Sequence, residues 1–472
     1  MFTLILLHIF FVSFTDKPEM TTPALSERAI EQREKWNIAL DELDYPVYSG
    51  YTDSLQRMGV QVHHTSRWFN GATCEMSAAL AEEVERLDFV SEVEMTRDDS
   101  SPIYAPSRMK RQLETVETTD EAIISQTSAQ LNVYNLRPLH QAGFHGQGIL
   151  MTICDGGFYN ANTLECFRQS QLLGHFDWTD DDQFGYSFFG STGAHGTQCL
   201  SAISGIQEGF YGAATQAEYY LMRSEEYKTE SPKEMDNLVA ALEKSDSLGV
   251  NVFSVSLGYA YFDNDAWTLP YAALDGKSTR ASLAATIAAR KGMLVCVAAG
   301  NEGNNSWHTI CVPADADSIL TVGAVDIQRH IGTFSSYGPS ADGRTKPDVC
   351  AVGVQTTLIN PYGNIIQSNG TSFATPLLAG LAATLWSALP DENAMQIRER
   401  IIQSADRYDN PDTDQYGYGI PDAWKAYMGD SPETTGTVKT NDVNSARKVI
   451  HGEQILIMRH GHIYNLAGQM VR

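Results

Sequence analysis

Positive charge is scarce in this chain. Its 472 residues carry 33 lysines and arginines against 58 aspartates and glutamates, a formal net charge of -25. So acidic a surface repels phosphate backbones, which sets nucleic acid aside as a partner. Long apolar runs are missing too. Only Met1 to Thr15 (MFTLILLHIFFVSFT) is mostly apolar over any length, and it is too short to cross a bilayer comfortably as a mature helix. The seven cysteines, at 74, 154, 166, 199, 296, 311 and 350, include no CxxC and no Cys/His metal spacing. Several lie in apolar runs (TICDGG, LVCVAAG, KPDVCAVG), where cysteine serves as a small core residue. An odd count leaves at least one thiol unpaired in an exported chain, and no particular disulfide is expected. No internal repeat is evident.

What is present suits packed globular domains: 43% of residues are hydrophobic and 19% charged. The length calls for one large domain with smaller companions. Residues 1–15 fit the apolar region of a secretory signal, without an early Lys or Arg or a small-residue cleavage site. The alternative is a buried N-terminal segment. Residues 24–99 form a compact α+β unit. Its elements are a helix in PVYSGYTDSLQRMGV, a strand pair in VQVHHTSRWFNGATCEMS, a helix in AALAEEVERLD and a strand in FVSEVEMTR. A polar linker, 100–125, contains Met109-Lys110-Arg111, either a processing site or a solvated charge pair.

From 126 to 428 apolar strands alternate with glycine-terminated helices. GILMTICD, VNVFSVSLG, MLVCVAAGN and ILTVGAVD are the strands, with helices in EMDNLVAALEKSDSLG and TRASLAATIAARKG. The pattern predicts a mainly parallel sheet between helices, with its chemistry outside the carboxyl ends of the strands. Residues 429–446 are a second polar linker. The stretch 447–472 alternates like short strands, with turns at His451-Gly452 and His460-Gly461.

Three positions carry residue types suited to nucleophilic hydrolysis. Asp155 closes a strand, His195 opens a small-residue helix, and Ser372 follows a glycine turn before a long apolar helix. The serine attacks, the histidine takes its proton, and the aspartate holds the imidazole tautomer. Asn301, at the end of MLVCVAAG, can offer a side-chain N–H₂ to a developing oxyanion. Each is weak evidence singly. The order Asp…His…Ser carries more weight, because it differs from the orders of the chymotrypsins and the α/β-hydrolases.

With that order, GILMTICDGGF, AHGTQCLSAISG, SVSLG, AAGNEGN and NGTSFATPLLAGLAA resemble the subtilisin-like serine proteases, the subtilases, as do FSSYGPSADGRTKPDV and YGYGIPDAW. The resemblance covers about 126–428. It implies a secreted serine endopeptidase, working through an acyl-enzyme on protein or peptide substrates. It implies that Ser256, Leu257 and Gly258 pair with substrate and form one pocket wall, with Ala298, Ala299 and Gly300 facing them. Residues 24–99 resemble bacterial subtilase propeptides, so a zymogen inhibited by its own propeptide is expected. The tail resembles C-terminal segments of proteins exported by the Bacteroidetes type nine secretion machinery, or is a small stabilising hairpin. One departure stands out: Gly156 follows the catalytic Asp where the family usually has Thr or Ser. Cys154 and Cys199 also lie beside triad members, as packed core or as redox control.

No cofactor is required by this chemistry. Many subtilases hold structural calcium, and Asp180-Asp181-Asp182 or the Asp409/Asp412/Asp414 loop offers oxygen ligands, neither with EF-hand spacing. Asn369-Gly370-Thr371 has the form of a glycosylation sequon, but the turn before Ser372 explains it better. Two rivals are an inactive subtilase-shaped binding module and an ester or lipid hydrolase. The first would usually lack one of the four residues, and the second would carry GxSxG where this chain has GTSFA.

Overall fold

The computed structural model describes residues 6–99, 116–117, 127–179, 187–429, 447–451, 454–459 and 462–465. Its largest sheet has seven strands, all pairing in parallel. Across the sheet they run Val349–Val352, Leu320–Val325, Leu294–Ala298, Val252–Val255, Leu150–Asp155, Glu218–Arg223 and Gln171–Asp177. The inner strands are buried residue by residue, because helices cover both faces, which explains their unbroken apolar runs. Helices Ala194–Ser204 and Thr371–Ala388 pack on one face. Helices Lys233–Leu248 and Arg280–Arg290 pack on the other. Gly249 closes helix Lys233–Leu248 in the left-handed conformation (φ +74°), as a glycine C-cap does.

The N-terminal unit is a four-stranded antiparallel sheet in the order Gln61–Ser66, Gly71–Met76, His8–Phe14, Val90–Arg97. Helices Ser49–Arg57 and Ala78–Val84 belong to the same unit, while helix Glu27–Lys35, for which sequence periodicity gave no expectation, lies against helix Lys233–Leu248. The expected signal peptide needs correction here. Residues His8–Phe14 form an inner strand of this sheet, so the domain begins well before residue 24. The reason is burial on both faces. Phe10, Val12 and Phe14 enter the domain's own core, while Ile9 and Phe11 are buried on the opposite side and the Arg280 guanidinium lies 4.3 Å over the Phe11 ring. A doubly buried strand is as continuously apolar as a signal segment.

Charge joins this unit to the larger one. Arg33, 3% exposed, donates to both carboxylate oxygens of Asp246 at 2.8 and 2.9 Å and to Asp44 at 3.0 Å. Arg67 reaches the same Asp246, and Lys291 pairs with Asp41 and Asp44 at 2.7 Å each. Burial alone pushes the Asp44 carboxyl up, but hydrogen bonds from Lys291, the Asp41 backbone and Arg33 outweigh it and hold it below the usual carboxylate value. Glu243 accepts the Arg67 and Trp68 amides at 2.9 and 3.2 Å. Asp236 takes Arg280, whose other arm holds Glu94. Asp236, Glu243 and Asp246 occupy one side of helix Lys233–Leu248, seven and three residues apart, as the helical repeat requires.

The tail forms three antiparallel strands, Arg447–His451, Gln454–Arg459 and His462–Asn465. Gly452, His460 and Gly461 of the expected turns lie outside the described residues, as do Met109-Lys110-Arg111 and Asp180-Asp181-Asp182.

Candidate active site

Asp155 ends its strand 1% exposed, at the carboxyl edge of the sheet. Its Oδ1 accepts His195 Nδ1 at 2.8 Å and Oδ2 lies 3.0 Å from the same nitrogen. Glycine makes this approach possible. A Cβ on Gly196 would lie 2.2 Å from the Gly157 carbonyl oxygen and 2.9 Å from Asp155 Cβ. The Gly156 amide donates to Asp155 Oδ1 at 2.8 Å, so the backbone supplies a donor beside the position where the family usually has a hydroxyl. Burial lowers the affinity of His195 for a proton, but the Asp155 carboxylate more than offsets it and holds the imidazole well above its ordinary 6.5.

Ser372 lies in the first turn of helix Thr371–Ala388, after Gly370 at φ +151°. Pro376, four residues on, has no N–H, so the helix cannot supply its usual donor to the Ser372 carbonyl. Two side chains fill that place: Ser256 Oγ donates to it at 2.7 Å and Cys199 Sγ at 3.4 Å. The Ser372 hydroxyl donates in turn to the Ser256 carbonyl at 3.3 Å. Cys199 Sγ is also 3.9 Å from His195 Nδ1, one helical turn away, so one thiol touches both the histidine and the serine backbone. The hydroxyl bond is directed to Ser256, not to His195.

Asn301 is fixed by its oxygen. Oδ1 accepts the Thr371 amide at 2.9 Å and the Thr371 hydroxyl at 3.0 Å, which leaves its N–H₂ as the outward group. The Gly300 amide donates to the same hydroxyl at 3.3 Å. Thus the residue before Ser372 ties Asn301 to the serine helix.

The expected pocket walls differ in kind. Leu257 and Gly258 are half-buried, follow the strand Val252–Val255, and make no backbone–backbone hydrogen bond among the described residues. Ala298, Ala299 and Gly300 are buried. Ala299 and Gly300 are bonded internally, to Val322, Cys311 and Ser336. A Cβ on Gly300 would lie 2.7 Å from Ser336 Oγ.

All seven cysteines are free and buried, and desolvation raises the Cys154 and Cys199 thiols. In the acidic loop at 409–414, Asp412 Oδ1 accepts the Asp414 and Gln415 amides of its own turn. Asn369 Oδ1 likewise accepts the Gln355 amide at 2.7 Å, as a turn residue does. Sequence reasoning missed the roles of Cys199, Thr371 and Pro376. A proline four residues after the serine was the available signal.

A buried Asp–His pair at a parallel sheet's carboxyl edge, beside a helix-borne serine, is the arrangement of a serine peptidase. Residues 146–419 match the subtilase family and residues 9–114 match the peptidase S8 propeptide domain of Bacteroidota. The chain belongs to the subtilase family and is a subtilisin-like serine endopeptidase made as a zymogen. It is 27% identical to the serine protease AprX of Bacillus subtilis over 314 residues, 60% of this chain and 67% of that one. It is 27% identical to subtilisin DY of Bacillus licheniformis over 281 residues, 59% and 90% of the two chains. It is 26% identical to a thermostable alkaline protease of Halalkalibacterium halodurans over 363 residues, 75% and 89%. Among solved structures, MycP1 from Mycobacterium smegmatis shares the fold, with a TM-score of 0.53 at 19% identity, covering 72% of this chain and 94% of that one. The propeptide match starts at 9, within the strand His8–Phe14.

Proposed function

We propose that Ser372 is the nucleophile, His195 its general base, Asp155 the orienting carboxylate and Asn301 an oxyanion donor. The observation that carries this reading is the 2.8 Å Asp155–His195 bond at the sheet edge where Cys199 joins His195 to the Ser372 backbone. On substrate binding the Ser372 hydroxyl leaves the Ser256 carbonyl for His195 Nε2. Its oxygen attacks the peptide carbonyl as His195 takes the proton, and the leaving amine receives that proton as the C–N bond breaks. Asn301 and first-turn N–H groups stabilise the oxyanion, and water then hydrolyses the acyl-enzyme. Ser256, Leu257 and Gly258 pair with the substrate backbone. Ala298, Ala299 and Gly300 form the facing wall. A fluorophosphonate probe tests the assignment: it should label Ser372, and Ser372→Ala should abolish labelling. Equal labelling of the variant, or modification of another serine, refutes it.

We further propose that the enzyme is secreted and that 447–472 directs export. Among the described residues, no helix is long and apolar enough to cross a membrane. Deleting 447–472 should strand active enzyme in the periplasm of the native host; normal extracellular activity without it leaves the three strands a structural role only. We also propose structural calcium, which chelator treatment followed by thermal unfolding tests.

A further inference from the structure

Two histidines away from the active site stack on each other. His140, on the short helix Arg137–Gln141, and His145, in the loop that follows, have ring centroids 4.9 Å apart and planes 19° apart. Their partners fix where the ring hydrogens lie. His140 Nε2 is 3.0 Å from the Ala213 carbonyl, which only accepts, so this nitrogen donates. The Thr215 hydroxyl donates to the Tyr211 oxygen at 2.8 Å, and the Tyr211 hydroxyl donates in turn to His145 Nδ1 at 3.2 Å, so that nitrogen is bare. Both imidazoles meet the Tyr211 ring edge-on.

The Ala213 carbonyl belongs to a joint. The Ala213 and Ala214 amides donate to the Ala202 and Ile203 carbonyls at 3.0 and 2.8 Å, near the end of helix Ala194–Ser204. Thr384, near the end of helix Thr371–Ala388, donates its hydroxyl to the Ala213 carbonyl at 2.7 Å, and a Cβ on Gly380 would lie 2.5 Å from Ala213 Cβ. This turn ties the far ends of the two helices that carry His195 and Ser372, and His140 is its third attachment.

We propose that the His140–His145 stack is an acid-sensitive latch on the joint between the two catalytic helices. Neutral rings hold helix Arg137–Gln141 on the turn, and charged rings release it. A second proton on each ring sets like charges at stacking distance, and on His145 Nδ1 it displaces the Tyr211 hydrogen bond. The groups around the pair supply no counter-ion. The hairpin 206–211 and the turn after it bring Tyr211 and Thr215, with Glu208 exposed at the tip and Glu218, further on, 3.8 Å from Arg28. Helix Thr371–Ala388 brings the Thr384 and Ser387 hydroxyls, and Ser387 takes the Gly146 amide at 3.3 Å. Helix Ala423–Met428 brings Tyr427, 6.0 Å from Phe144, and Arg137 on the helix of His140 has the same sign as a charged imidazole. Among the described residues, no carboxylate acts on either ring.

Burial brings His140 down to about 4 against the pull of its Ala213 bond, His145 lowers it further, and burial also holds His145 below 6.5. Opened rings take protons at their ordinary 6.5 while closed rings resist, so closure is favoured above 6.5 and is lost as pH falls toward 4. From His140 alone, the opening constant should rise roughly 10- to 100-fold between about pH 7.5 and 4.5.

Hydrogen exchange on full-length Ser372→Ala protein, checked for integrity by intact mass, tests this without using activity. Amides of 137–148 and 211–216, corrected for the intrinsic effect of pH, should show that rise at the lower pH. His140→Gln with His145→Gln keeps a donor for Ala213 and an acceptor for Tyr211 but cannot be charged, so its opening should hardly change. Equal acid opening with and without the histidines overturns the latch, as does a parent protein that stays closed. Should the double variant fail to fold, imidazole titration by NMR in the parent decides: protonation at the ordinary value with the segment still closed contradicts the latch, and protonation only as the segment opens supports it.

Discussion

The two folded regions are held together by different physics. Inside the catalytic domain, strands such as Leu294–Ala298 and Leu320–Val325 are apolar and completely buried, and helix Thr371–Ala388 runs buried from Thr371 to Trp386. Between that domain and the N-terminal sheet, buried apolar groups such as Phe11 and Trp68 are joined by buried charges: Arg33, Arg67 and Asp44 on one side, Asp246, Glu243 and Lys291 on the other. Apolar burial favours association without regard to direction. A buried ion pair gains little net stability over an apolar one, yet losing one partner is costly. The first arrangement suits a core that must persist, and the second an inhibitor that binds in one register and must later leave. When it leaves, Asp246 and Glu243 return to water, where their charges are stable.

The largest effect that sharpens this contrast lies in the catalytic half. Ser372→Ala should lower kcat by about 10⁶-fold, the scale known for loss of the nucleophile in subtilisin, while leaving the precursor folded and uncut. Peptide hydrolysis and gel mobility check both parts. At the interface, Arg33→Ala leaves Asp246 and Asp44 short of a partner, which costs about 3–5 kcal/mol, or roughly 10²- to 10⁴-fold in propeptide affinity. Titration calorimetry reads that loss. An unchanged affinity would make the ion pairs incidental and erase the contrast.

Asn301→Ala should reduce kcat about 10²- to 10³-fold with little change in KM, because its hydrogen bond strengthens only as charge develops. Steady-state kinetics on one peptide separates the two constants. The smallest effect concerns pH. A histidine general base works only when neutral, and the Asp155 carboxylate raises the affinity of His195 for protons. The acid limb of kcat/KM should therefore fall at an apparent pKa above 6.5, with activity rising as pH increases through it. A limb at or below 6.5 would mean that Asp155 does not govern the imidazole.

Much of the catalytic domain was legible in sequence because its signals are local. Apolar strands buried on both faces leave unbroken runs, and Gly249 marks a helix end. Asp155, His195, Ser372 and Asn301 stand at element ends where such residues are conspicuous. The propeptide was harder for the opposite reason. His8–Phe14 is buried against its own helices on one face and the catalytic domain on the other, a long-range fact that makes it resemble a leader. Helix Glu27–Lys35 buries only Ala29 and Arg33, and its anchor is a charge partner 213 residues away. Edge strand Gln171–Asp177 alternates between exposed and half-buried positions and lacks the apolar run of its inner neighbours. The Cys199 contact to Ser372 spans 173 residues and follows from a proline's missing N–H, which composition and periodicity do not register.

The N-terminal sheet, with His8–Phe14 as an inner strand, should act as a separable inhibitor whose docking depends on the buried ion pairs. The direct measurement adds isolated fragments to the matured catalytic domain and follows peptide hydrolysis. Residues 1–111 should inhibit at low concentration, and residues 24–111, which lack the inner strand, should not. Full activity in excess 1–111, or equal inhibition by 24–111, would contradict it.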